Sequence, residues 1–327
     1  MRPFTYISVS GQDQALQAAT AGARAAFLAG GTNLIDEMKL NVQTPEQLVD
    51  INRLPLNRIE PLPDGSVRIG AMVRNTELAW DETIRARYPV LSEAILSGAS
   101  PQLRNMASTG GNLLQHTRCY YFRDVARPCN MRDPGSGCTA IAGYNRIHAV
   151  LGTSDKCIAT HPSDMCVGLA VLDAVIAIAG PRGQRQVPIN QFHIAYGEDP
   201  SRLNVLEPGE LITSVMLPAM PWAKRSHYLK VRDRASYEFA LASAGIALDL
   251  DGNIIRQARI ALGGVASKPW RAKSAEDKLI GAEAGIESFK SAAEIALQSA
   301  VPQRFNAFKI ELAKRTIVKA LMDTAAM

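Results

Sequence analysis

Apolar residues recur along this chain at two spacings, and the spacings divide it into elements. Residues 12–22 and 34–39 read as helices, residues 25–29 as a short buried strand, and residues 48–51 and 66–71 as further strands. Helical spacing returns over residues 76–80 and 82–97. After a long stretch of little periodicity, residues 165–174 predict a helix and 175–179 a buried strand. Pro181-Arg182-Gly183-Gln184 turns that strand towards a hairpin partner at residues 186–189. The proline-rich run 218–222 marks a boundary. Strands at residues 227–231, 241–250 and 256–262 follow, the last two joined by Asp251-Gly252-Asn253. Helices then cover residues 274–280, 287–300 and 306–322. Strands before helices predict an α+β unit with one helical layer on an antiparallel sheet.

Two Gly-Gly turns interrupt the N-terminal elements. Gly30-Gly31-Thr32-Asn33 follows the first buried strand, and glycines there allow close approach of a ligand while free N–H groups hold an anion. Asn33 with Asp36 is also a plausible capping pair. The second turn, Ser108-Thr109-Gly110-Gly111-Asn112, lies some eighty residues later and reads as a loop of small hydroxyl residues. A diphosphate needs donors from more than one side, so the two turns are more suggestive together.

Between residues 107 and 165 lie four of the five cysteines, Cys119, Cys129, Cys138 and Cys157, amid Pro, Gly, Arg and Asp. A loop this long in a compact chain is disordered or held by something other than a hydrophobic core. The spacing matches neither a paired zinc ribbon nor a closely spaced ferredoxin run, yet four thiolates can hold a zinc ion or a 4Fe-4S cluster. Arg118, Arg123, Arg127 and Arg132 outnumber Asp124 and Asp133 here and could offset thiolate charge. Cys166 lies in an apolar run and reads as core. His161 has no ligand partner at metal spacing and reads as structural.

Composition narrows the class without choosing a function. At 327 residues the chain suits two domains or three smaller units. Hydrophobic content of 47%, charged content of 20% and a dispersed net charge of +5 give no reason to invoke nucleic acid or a membrane surface. No apolar run is long enough to span a bilayer, and residues 1–6 show no signal core. The chain is therefore expected in the cytoplasm, or exported with a partner that carries a signal.

Ala29-Gly30-Gly31-Thr32-Asn33-Leu34, Thr109-Gly110-Gly111-Asn112-Leu113, Pro162-Ser163-Asp164, and Lys230 ahead of Arg232-Asp233-Arg234 occur in one order. With them the chain resembles, over nearly its whole length, the FAD-binding middle subunit of the molybdenum hydroxylases, the xanthine dehydrogenase and carbon monoxide dehydrogenase family. The four-cysteine loop departs from most of that family. With Arg104-Asn105, Thr117-Arg118-Cys119, Pro134-Gly135-Ser136-Gly137-Cys138 and Arg232-Asp233-Arg234-Ala235-Ser236-Tyr237, it is similar to the flavoprotein subunit of bacterial periplasmic aldehyde oxidoreductases.

The resemblance implies a two-part FAD-binding domain of the PCMH type over residues 1–221, with a four-cysteine insert at about 115–158. An α/β sandwich of the CO dehydrogenase flavoprotein type would follow over 222–327. Ala26, Phe27, Leu28, Ala29, Gly30, Gly31, Thr32, Asn33 and Leu34 would line the FAD diphosphate, with Ser108, Thr109, Gly110, Gly111 and Asn112 as the second wall. Asp164 would accept hydroxyls of FAD, and Lys230 would lie near the isoalloxazine edge; the alternatives are a helix cap and a surface strand residue. Cys119, Cys129, Cys138 and Cys157 would ligate a 4Fe-4S cluster.

The implied partners are a large molybdenum-cofactor subunit, a small 2Fe-2S subunit and an external electron acceptor. The implied compartment is the periplasm, and no residue of this chain is expected to bind the aldehyde. Rival readings are a stand-alone FAD oxidase or dehydrogenase and a zinc-stabilised interaction module.

Overall fold

The computed structural model describes residues 1–21 and 24–327. Strands β1 (Thr5–Ser8), β2 (Ala25–Leu28) and β3 (Gln47–Asp50) form a parallel sheet in the order β1-β3-β2. Helices Gln12–Thr20 and Leu34–Lys39 make the crossovers. The expected helix over 12–22 thus ends at Thr20, and position 22 lies outside the described residues. Val49 and Ile51 pack with Ala15, Leu54 and Met72 beneath this sheet. All four residues of β2, an edge strand of this small sheet, are only half-buried, against the expectation of a buried strand.

Strands β4 (Ile59–Pro61), β5 (Val67–Gly70), β6 (Val175–Gly180), β7 (Gly183–Pro188) and β8 (Leu211–Leu217) form an antiparallel sheet in the order β4-β5-β8-β6-β7. The helix expected at 76–80 runs Asn75–Trp80, and the one expected at 82–97 splits into two. Asp81 caps Glu82–Arg87 by accepting from Ile84 N–H, and Pro89 begins Pro89–Ser97. The helix expected at 165–174 runs Asp164–Val171 and is buried throughout beyond its first residue.

In the third sheet β9 (Ser226–Val231), β10 (Ala242–Asp251), β11 (Ile254–Gly263) and β12 (Trp270–Arg271) take the order β12-β11-β10-β9. Helices Lys273–Leu279, Ile286–Ala296 and Phe308–Ala325 cover one face, where Ala244, Ile246 and Leu248 point. The opposite face carries small residues and is not solvated. A Cβ on Gly245 would stand 2.9 Å from Val171 Cγ2, and one on Gly263 2.7 Å from Val167 Cγ2. Helix Asp164–Val171 therefore lies close against the sheet, and the C-terminal unit has helices on both faces rather than one.

Arg271 ties these layers together. Its guanidinium reaches the Ala170 carbonyl at 2.8 Å, Asp173 at 2.5 Å and the fully buried Glu276. Removing the cation leaves the buried carboxylate with only the exposed Lys273, 3.8 Å away, as counter-charge. Arg271→Leu is expected to cost about 3 kcal/mol or more, read as a lower urea midpoint.

Candidate functional site

Strand β2 delivers the chain to Gly30-Gly31-Thr32-Asn33. Gly31 has φ +73°, which favours glycine, and a Cβ on Gly30 would stand 2.0 Å from the carbonyl oxygen of Met106. The first turn is thus pressed onto the backbone just before the second. Asn52 donates to the Ala29 carbonyl at 2.9 Å, and Arg74 donates to Asn52 at 2.9 Å and to Met106 O, bracing both turns from behind. The N–H groups of Gly30, Gly31, Thr32 and Asn33 meet no acceptor among the described residues, and Asn33 Oδ1 is buried with no partner among them. Residues 25–35 are half-buried throughout. A rim of unspent donors with open surface suits an anionic ligand such as a diphosphate.

Asn33 does not form the expected cap with Asp36. Its amide donates to Glu37 at 2.9 Å. Glu37 is fully buried and also accepts from Gln43 at 2.7 Å, with His116 Nδ1 at 2.8 Å. Burial alone would raise this carboxyl, but hydrogen bonds from His116, Gln43 and Asn33 hold it below the usual range. The sequence reading missed Glu37; an acidic residue inside Leu34-Ile35-Asp36-Glu37-Met38 was the only signal.

The second turn is not a loop. Ser108 caps a short helix, Thr109–Leu113, by accepting from Gly111 N–H at 3.2 Å. Thr109 N–H and Gly110 N–H donate to the Val73 and Ala71 carbonyls, and Asn112 N–H to Ser108 O. This segment has spent its amides on the fold, whereas the first turn keeps its own free. Asn112 Oδ1 accepts from Ser163 Oγ at 2.6 Å, joining the second turn to Pro162-Ser163-Asp164.

Ser163, not Asp164, caps the helix that follows. Asp164 instead accepts from Tyr228 Oη at 2.5 Å and pairs with Lys230 Nζ at 2.7 Å. The Lys230 side chain is 4% exposed, so it is no surface residue, and it also donates to the Ser97 carbonyl at 3.1 Å. The charges of Asp164 and Lys230 therefore neutralise each other at the contact between the N-terminal helices and β9.

Cys119, Cys129, Cys138 and Cys157 line one pocket with Phe122, Met131 and Ala159. Cys129 and Cys138 face each other across an antiparallel bridge. Burial pushes the Cys119 thiol up to about 12 against the pull of the Phe122 and Tyr121 N–H groups, and it raises Cys138 and Cys157 as well. Only a bound metal would supply the charge to hold these sulfurs as thiolates. Among the described residues no three of these sulfurs lie within 4.8 Å of one another. A zinc ion with bonds of about 2.3 Å would draw four sulfurs to roughly 3.8 Å apart, closer than these four stand together.

The arginines serve the loop more than the sulfurs. Arg132 donates to the carbonyls of Tyr121 at 3.0 Å and Phe122 at 2.6 Å, Arg123 pairs with Asp36, and Arg127 with Asp124 at 3.6 Å. Arg118 lies over the ring of Phe239.

His161 has neighbours after all: ligand-type atoms of His161, Cys166 and His193 lie within 4.8 Å of one another. Their hydrogen bonds oppose metal binding. His193 Nε2–H donates to Leu113 O, leaving a lone pair on Nδ1, but His161 Nδ1 accepts from Ser163 N–H, which puts the proton on the inward Nε2. Cys166 is fully buried, as a core residue should be.

Residues 2–220 match the family described as FAD binding domain in molybdopterin dehydrogenase, and residues 227–324 match CO dehydrogenase flavoprotein C-terminal domain. The chain belongs to the FAD-binding subunits of the molybdenum hydroxylases. It is 48% identical over 328 residues, all of this chain and 99% of the relative, to the aldehyde oxidoreductase FAD-binding subunit PaoB of Escherichia coli K12. It is 28% identical over 281 residues, 86% of this chain and 81% of the relative, to the carbon monoxide dehydrogenase medium chain of Hydrogenophaga pseudoflava. A solved carbon monoxide dehydrogenase structure from that organism superposes with a TM-score of 0.77 at 26% identity, covering 99% and 98% of the two chains. The fold is thus that of a molybdenum hydroxylase flavoprotein subunit: an FAD-binding domain followed by the CO dehydrogenase flavoprotein C-terminal domain. As such the chain is the FAD-binding component of an oxidoreductase.

Two outcomes follow for this flavoprotein subunit. Gly30→Ala sets a methyl group against the Met106 carbonyl, so flavin content is expected to fall by more than half, with a stability loss of about 2 kcal/mol, measured by flavin absorbance and thermal unfolding. Glu37 has a folded pKa below its unfolded value of about 4.3, so its contribution is complete above that pH and lost as pH falls through the folded value. Between about pH 5 and 3, the urea midpoint of Glu37→Gln should therefore fall less steeply than that of the parent, from a lower starting point.

Proposed function

We propose that this chain is the electron-transfer flavoprotein subunit of a heterotrimeric molybdenum-dependent aldehyde oxidoreductase. The observation that carries the reading is the full-length similarity, at 48% identity, to a subunit named for aldehyde oxidoreductase. Aldehyde oxidation would take place at the molybdenum cofactor of a large partner subunit. Electrons would pass through 2Fe-2S clusters of a small partner to this chain, and from it to an external acceptor. FAD bound here supplies a carrier that accepts and releases those electrons.

The chain's own contribution is placement. The first turn, residues 26–34, would hold the diphosphate through the N–H groups of Gly30, Gly31 and Thr32, and Ser108 with Thr109–Asn112 would stand as the second wall. Asp164 would accept FAD hydroxyls beside its contacts with Tyr228 and Lys230, and Lys230, its charge balanced by Asp164, would lie near the edge of the flavin ring. We assign Cys119, Cys129, Cys138 and Cys157 as ligands of a 4Fe-4S cluster; their gathering around one pocket, with no three sulfurs within 4.8 Å of one another, supports this. No helix among the described residues is long and apolar enough to cross a membrane, and the compartment we propose is the periplasm.

The test is metal and flavin content of the anaerobically purified complex, parent against Cys138→Ser. About one FAD per complex in both, and about four fewer irons in the variant, is expected. Equal iron in the two, or zinc lost in place of iron, overturns the cluster. Absence of FAD from folded parent complex overturns the flavoprotein assignment.

A further inference from the structure

His148 lies 1% exposed beside the four-cysteine pocket, with Nε2 3.1 Å from Cys119 Sγ. Its Nδ1 is buried and has no partner among the described residues. A ligating cysteine is a thiolate and can only accept, so a hydrogen bond between the two atoms places the imidazole proton on Nε2.

The segment carrying His148 is held from the C-terminal domain. Asn306 Nδ2 donates to the carbonyls of His148 at 3.3 Å and Ala149 at 3.1 Å. Lys309 Nζ, on a fully buried residue, donates to the carbonyls of Ile147, His148 and Gly264 at 3.1, 2.9 and 2.5 Å. Asn145 Oδ1 accepts from Phe305 N–H at 3.0 Å, and His148 N–H donates to Asn145 O. Three residues of the 305–309 stretch thus set where the imidazole stands, and their contacts leave little slack.

We propose that His148 tunes the electron-transfer centre held by the four cysteines, donating Nε2–H to the Cys119 thiolate, with Asn306 and Lys309 as positioning residues. This rests on the assignment of those cysteines to a 4Fe-4S cluster. The Cys119 sulfur thereby receives a side-chain donor. Each donor withdraws electron density from the sulfur and favours the more negative, reduced cluster, which raises its reduction potential. No proton moves in this scheme.

The experiment is an EPR-monitored redox titration of the whole complex. His148→Leu should lower the potential of the 4Fe-4S cluster while FAD and the partner's 2Fe-2S clusters keep theirs. His148→Gln, which retains an N–H, should restore part of the shift, and Lys309→Met should lower the potential by less than His148→Leu does. An unmoved potential in a His148→Leu protein with full iron overturns the proposal and leaves the cluster assignment standing. Should that variant lose its iron, the unmutated complex decides: with 15N-labelled histidine, pulsed EPR of the reduced cluster should show coupling to one histidine nitrogen and its exchangeable proton. Absence of that coupling overturns the proposal, and absence of any 4Fe-4S signal overturns the ligand assignment together with it.

Discussion

One buried carboxylate joins the two regions on which the site depends. Glu37 sits on the helix that leaves the first glycine turn, and its partners are Asn33 within the turn, Gln43 beyond the helix, and His116 at the entrance to the cysteine segment. A carboxylate without solvent is tolerated only when its oxygens are satisfied. Here the partners that satisfy it belong to different parts of the site. Placement of the turn and placement of the cysteine segment are consequently set together.

The same logic of shared neighbours runs through the rest of the molecule. Helix Asp164–Val171 has Ser163 and Asp164 at its start, where the second glycine turn and Lys230 meet it, and Arg271 at its end. Along its length it packs on Gly245 and Gly263, so the C-terminal sheet can approach only because its inner face is nearly bare of side chains. A helix gripped at both ends and along one side is a rigid beam between the two domains. Close packing of this kind transmits displacement rather than absorbing it.

Much of this was legible from residues. The alternation in 242–248 and the apolar run at 175–179 mark strands, and the glycine pairs mark close backbone approaches. Less legible was anything whose cause lies far along the chain. The N–H groups of Thr109 and Gly110 are spent on Val73 and Ala71, which no local pattern around Gly110-Gly111 reveals. Lys230 looks like an ordinary strand lysine until Asp164, from another domain, neutralises it. Short strands such as Thr5–Ser8 and Trp270–Arg271 have too few residues for a period to register, and only their pairing makes them strands. The arginines of the cysteine segment suggest charge compensation by composition, yet the loop's own carbonyls claim Arg132 first.

The central antiparallel sheet brings Gly70 of β5 beside Ser214 of β8, and the chain between them carries the second glycine turn and every cysteine. Loop-closure entropy must be overcome before that pairing is rewarded, and contacts so distant in sequence slow folding. As the chain leaves the ribosome, β5 therefore waits with an open edge until residues beyond 211 have emerged. The cysteine segment is synthesised within that interval. Its thiols thus reach the solvent before the scaffold that will bury them has closed, so the order of synthesis leaves them accessible for a time that the folded chain does not.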